Sequence, residues 1–171
     1  NTLVIFLADN GGSGIADNRP LRGKKSTMWE GGLRVPCIVR WPKALPAGET
    51  NDSFLTALEI FPTILSATKA KQPDSIILDG FDMLPVLQSD LKSPRKAMFW
   101  QRRGLRAARI GHWKWMNLAG QESLFDLSQD VDESRDLAEE QPQVLDEMRT
   151  HFAQWRSTMD AAEPRGPFRD Y

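Results

Sequence analysis

An aspartate, an asparagine and two glycines stand together at Asp9-Asn10-Gly11-Gly12, directly after the apolar run Leu3 to Ala8. Carboxylate and amide oxygens are hard donors, suited to Ca²⁺ or Mg²⁺. A run of this length is too short for a membrane span and suits a strand covered on both faces. In open α/β sheets, ligands collect at the carboxyl ends of strands, so a strand ending in Asp-Asn is placed to hold something. The glycines let the backbone turn away sharply. Asn-Gly is also the commonest hairpin signal, and the four residues can be read as a plain turn. A hairpin needs a second strand at once, whereas Ser13 to Arg22 is polar and irregular, which favours a functional loop.

Other residues invite chemistry less strongly. Cys37 is either a nucleophile or a small buried hydrophobe, and the second reading is preferred. Asp79 and Asp82 can be metal ligands, but a turn acid and a helix cap account for them better. The acids between Asp126 and Asp136 lack the alternating ligands, the glycine and the terminal bidentate glutamate of a Ca²⁺ loop, so they read as a turn with capping acids. His112, Trp113 and Trp115 suggest a sugar platform, yet alternating aromatics on a strand more often pack. Arg102, Arg103, Arg106 and Arg109 form a basic run without any nucleic-acid motif and read as a solvated sheet face. His151, among charges, reads as a surface residue.

The elements that must position these groups follow from periodicity. Leu33 to Trp41 reads as a second strand, followed by a Pro/Gly loop. Asp52 or Ser53 can cap a helix running toward Thr68, with Pro62 kinking it or opening a shorter helix near Phe61. From 97 to 127 the texture changes to short strands, Ala97–Arg102, Leu105–Ile110, His112–Leu118 and Ser123–Leu127, punctuated by Gly104, Gly111 and Gly120. This spacing predicts an antiparallel meander with one face on a core and one face wet. Pro142 to Met159 carries Leu145, Met148, Phe152, Trp155 and Met159 at helical spacing, predicting an amphipathic helix against that meander.

The chain has 171 residues and a net charge of −1 with interspersed signs, which favours neither nucleic acid nor an anionic membrane as partner. No apolar stretch approaches membrane-spanning length and no leader-like segment is present. Cys37 is the single cysteine, so an internal disulfide is impossible. The apolar run begins at once after Asn1, and a buried parallel strand needs neighbours that this chain scarcely offers, so the sequence reads as a piece of a larger protein.

Asp9-Asn10-Gly11-Gly12 followed by Leu21-Arg22-Gly23-Lys24-Lys25-Ser26-Thr27-Met28-Trp29-Glu30-Gly31-Gly32-Leu33-Arg34-Val35-Pro36 resembles the second half of the sulfatases, the alkaline-phosphatase-like sulfuric ester hydrolases. Their pattern is D-N-G-G, a loop, then L-R-G-x-K-x-x-x-[WY]-E-G-G-x-R-V-P. Lys24 stands where many members have glycine. Phe61-Pro62-Thr63-Ile64-Leu65, Leu78-Asp79-Gly80 with its following residues, and Leu124-Phe125-Asp126-Leu127 through Ala138 resemble later family stretches. Cys37, followed by Ile38-Val39-Arg40, does not fit the C-x-[PA]-x-R that sulfatases convert to formylglycine.

The resemblance implies that Asp9 and Asn10 are two ligands of an active-site Ca²⁺ and that Lys25 contacts the sulfate ester. It implies that the formylglycine and further Ca²⁺ ligands come from a missing N-terminal part of the same protein, and that the chain alone is inactive. The implied fold is the C-terminal part of a sulfatase α/β catalytic domain over 1–96, then a four-stranded antiparallel sheet closed by a helix over 97–171. The implied substrate is a sulfate ester. Another hydrolase of the superfamily, acting on phosphodiesters or phosphonates, and a non-catalytic module that kept the fold are the competing readings. Family members are often periplasmic or secreted, which no residue here tests.

Overall fold

A computed structural model describes residues 1–72, 74–89 and 91–162. They divide into two compact units, Asn1–Phe6 with Ile38–Lys96, and Leu7–Cys37 with Ala97–Tyr171. Residues 7–37 pack within the unit that holds the meander.

In the first unit, strand β1 (Val4–Leu7) pairs with β2 (Cys37–Arg40) in a two-stranded sheet. Within this chain the faces of β1 are partly open, Val4 being 46% and Phe6 61% exposed. Two strands cannot cover each other's faces; burial requires a further layer, which the described residues do not provide. Cys37, expected to be buried, is also exposed. The second strand is shorter than Leu33 to Trp41, because Leu33 closes a single helical turn, α1 (Glu30–Leu33).

The cap near Asp52 or Ser53 lies at Thr56 instead. Its hydroxyl accepts the Leu58 N–H, and the Glu59 carboxylate takes the Thr56 N–H, a capping box over the 3₁₀ turn Ala57–Glu59. Helix α2 (Ile60–Thr68) continues from that turn, so Pro62 falls in its first turn, where no intrahelical donor is lost. Glu59 is fully buried against the Arg95 guanidinium. A short helix, α3 (Leu84–Gln88), follows Asp82, whose carboxylate accepts the Leu84 N–H at 2.9 Å, so this acid caps. The Asp79 main-chain carbonyl accepts from Arg95 at 3.1 Å.

The second unit is built on the meander β3 (Ala97–Arg102), β4 (Leu105–Ile110), β5 (Trp113–Leu118) and β6 (Gln121–Asp126), each antiparallel to the next. Register pairs Ala108 with Trp115 and Trp115 with Leu124 on one face, and Ala107 with Met116 on the other. The first face packs on α4 (Pro142–Ala161) through Leu145, Met148 and Phe152. Small Ala107 and Ala108 at the centre of β4 leave room for the large side chains of its neighbours.

The second face is not wet. Met28, buried, joins Ala107, Met116 and Phe125, with Trp29 and Leu33 packed around them. The expected half-solvated sheet is thus covered on both sides, by a helix and by the segment carrying the W-E-G-G residues. Trp115 lies in the core and Trp113 packs beside it, as the packing reading required. Arg109 departs from the expected solvated face: burial lowers its pKa, while the Glu30 carboxylate opposes that shift. Among the described residues no helix is long and apolar enough to cross a membrane.

Candidate functional site

Asp9 and Asn10 leave the end of β1, and the chain then folds back on a cradle of main-chain bonds. Gly11 N–H donates to the Gly32 carbonyl at 3.2 Å. A Cβ on Gly11 would stand 1.7 Å from the Gly31 carbonyl oxygen, so only glycine permits this approach. Asn18 ties the loop: its carbonyl oxygen accepts Gly12 N–H at 3.0 Å, and its amide donates to the Gly12 and Gly23 carbonyls, both at 3.1 Å. Lys25 N–H donates to the Gly12 carbonyl at 3.0 Å, drawing the lysine back onto the Asp-Asn corner. Beyond it, Ser26 takes a left-handed conformation (φ 73°) and Gly31 N–H closes the segment on the Arg22 carbonyl at 2.7 Å.

Of the three site residues expected from the sequence, Lys25 and Asp9 come together, and Asn10 follows Asp9 at the same strand end. Lys25 Nζ lies 4.0 Å from an Asp9 carboxylate oxygen, with the side chains 48% and 86% exposed. Neither charge is enclosed, and both face solvent at one corner. An aspartate and an amide have the right donor type for a hard cation but supply only two of its roughly six to eight positions. Among the described residues, no group of three or more His, Cys, Asp or Glu could hold a metal ion.

The sequence reading missed a cluster of buried charges that ties down the segment carrying Lys25. Lys114 Nζ is fully buried, 2.8 Å from a Glu30 carboxylate oxygen and 2.9 Å from Glu133 Oε1. The other Glu133 oxygen accepts the Glu30 N–H at 2.6 Å, capping α1 from a distance of more than a hundred residues in sequence. Glu133 Oε1 stands outside hydrogen-bond geometry and is held by charge alone. Burial pushes the Glu133 carboxyl above its ordinary range, and the Lys114 ammonium opposes that rise. Arg22 adds a further tie, donating to the Glu133 carbonyl at 3.0 Å while its guanidinium sits 3.7 Å over the Trp29 ring. One signal was readable: Lys114 interrupts an aromatic strand at a position that alternation assigns to the Met116 face. Its partner Glu30, 84 residues away, was not readable.

Comparison with known proteins bears on these observations. Residues 1–70 match the sulfatase family model. Human arylsulfatase A is 37% identical over 124 residues, covering 66% of this chain and 24% of the relative. The crystal structure of Ps i-CgsB in complex with k-i-k-neocarrahexaose superposes with a TM-score of 0.82 at 31% identity, covering 91% of this chain and 36% of that one. The phosphonate monoester hydrolase of Agrobacterium radiobacter shares the fold, with a TM-score of 0.63 at 24% identity, covering 91% of this chain and 35% of that one. The chain spans about a quarter of the length of the curated relatives it matches. The chain belongs to the sulfatase family, with part of its alkaline-phosphatase-like fold.

Proposed function

We propose that this chain supplies part of the active site of a sulfuric ester hydrolase, in which Asp9 and Asn10 hold Ca²⁺ and Lys25 contacts the sulfate. The carrying observation is the convergence of an exposed ammonium and an exposed carboxylate, 4.0 Å apart, at a strand end whose backbone is fixed by Gly11, Asn18 and the Lys25 amide.

Hydrolysis of a sulfate ester needs a nucleophile, cations facing the sulfate oxygens and a proton for the departing alkoxide. Bound Ca²⁺ would supply a Lewis acid at those oxygens. Asp9 would offer its carboxylate to the ion and Asn10 its carbonyl oxygen. Lys25, unable to accept hydrogen bonds while charged, would place its ammonium against the anion and neutralise charge that grows in the transition state. The Gly12 carbonyl holds the lysine's main chain, so this charge need not reorganise during reaction. The nucleophile, a formylglycine in this reading, and the further acidic ligands belong to an N-terminal part of the same protein. The chain alone would then bind Ca²⁺ weakly and be inactive.

Assay of the full-length protein with an aryl sulfate and an aryl phosphate tests the reading. Turnover of the sulfate, lost on Lys25→Ala, supports it. Preferential turnover of the phosphate would favour the phosphodiesterase or phosphonate hydrolase alternative, for which the shared fold with the Agrobacterium enzyme speaks. Turnover of neither, with no C-x-[PA]-x-R motif upstream, would mark a non-catalytic module.

A further inference from the structure

We infer that Lys114, Glu30 and Glu133 form a buried clamp that positions Lys25, and that Glu133 is a positioning residue for sulfate turnover. The inference rests on the sulfate-contact role of Lys25 given above. Two carboxylates around one fully buried ammonium are poor material for stability alone, because desolvating three charges offsets much of their attraction. A close-packed apolar trio would serve that purpose as well. What the charges add is register. Glu30 and Glu133 meet Lys114 at 2.8 and 2.9 Å from opposite parts of the chain, and any slip of the 22–33 segment would leave a carboxylate buried and unpaired.

That segment is the one bearing Lys25. It is pinned on its far side by Glu30 N–H on the Glu133 carboxylate and by Arg22 on the Glu133 carbonyl. It is pinned on its near side by Lys25 N–H on the Gly12 carbonyl. Met28 and Trp29 fill the sheet face between these ties, Trp29 lying 5.6 Å from the Phe125 ring. Glu133 itself holds a left-handed conformation (φ 54°), which a non-glycine residue adopts only where its surroundings demand it. Arg109 completes the electrostatic surroundings through the Glu30 carboxylate. Among the described residues the half-exposed Lys25 ammonium is paired with Asp9 at 4.0 Å, so it depends on the main chain for its place.

The test is a double-mutant cycle in the full-length protein with an aryl sulfate, using Glu133→Gln and Lys25→Ala. Lys114→Met is less suitable, since two buried carboxylates facing each other threaten folding. Glu133→Gln should lower kcat about 10- to 100-fold with KM little changed, as for a displaced catalytic group. In the Lys25→Ala background the same change should cost little, because the positioned group is gone. Equal costs in both backgrounds would overturn the clamp while leaving the role of Lys25 intact. Unchanged turnover in Lys25→Ala alone would instead sink the sulfate-contact reading, and the clamp's catalytic meaning with it. Amide exchange on the unaltered protein gives a second readout. The Lys25 and Gly31 amides should exchange as slowly as those of β5, and fast local opening of residues 22–33 would refute the clamp.

Discussion

Two lysines in the same unit are handled in opposite ways. Lys114 is sealed between two carboxylates at 2.8 and 2.9 Å, with no exposed surface. Lys25 is half-exposed, and its nearest carboxylate stands at 4.0 Å. The sealed ammonium has its charge satisfied by the protein and can offer nothing to a ligand. The open one is under-paired, which is the condition for meeting an incoming anion. Charge buried and matched specifies where a chain lies; charge exposed and unmatched is left for chemistry.

The sharpest way to break this contrast is to neutralise each lysine in turn. Lys114→Met should cost about 3–5 kcal/mol in denaturant unfolding, because it strands two carboxylates in the interior. Lys25→Met should leave the unfolding midpoint nearly unchanged, and equal costs would erase the distinction. Activity should reverse the order. Lys25→Ala in the full-length protein should lower kcat on an aryl sulfate by about 10² to 10³, or some 3–4 kcal/mol, the usual loss when one preorganised charge is removed.

Gly11→Ala probes the cradle between the two lysines. Its Cβ would meet the Gly31 carbonyl at 1.7 Å, so the backbone must shift, at a cost of about 1–3 kcal/mol in unfolding free energy. A neutral result would mean that the corner is softer than its bonds indicate. The smallest effect concerns pH. Hydrogen bonding from Arg149 holds the Glu122 carboxyl below its ordinary range, with Trp115 N–H assisting at 3.0 Å. Stability from a depressed carboxyl is fully present above its unfolded pKa, near 4.3, and is lost as pH falls through the lower folded value. Glu122→Gln should therefore lower the neutral plateau of the thermal-unfolding profile slightly and flatten its acid side, the two proteins converging below about pH 4. The exposed pair Arg19–Asp17, lying in the loop that contains the site, serves as the control: Asp17→Asn should leave neutral-pH stability unchanged.

Legibility followed the range of the interactions. The meander was readable because alternation and glycine punctuation are local, and all four strands lie within a residue or two of their expected bounds. The closing helix was readable for the same reason, with Leu145, Met148 and Phe152 turned inward. In β1 continuous apolarity reports a preference for burial, and the described residues supply no layer that meets it. The wet face of the meander failed because the cover comes from Met28 and Trp29, some eighty residues earlier in the chain.

By itself the sequence determined the hard-donor pair Asp9-Asn10, the lysine-bearing motif that follows, and the strand and helix periods of the second half. Those are properties of residue type and short spacing. Only the tertiary structure decided that Lys25 returns to Asp9, that the 22–33 segment roofs the sheet, and that Lys114 disappears between Glu30 and Glu133. Each of these joins residues far apart in the chain, where side-chain pattern carries no distance and only packing chooses which charges meet.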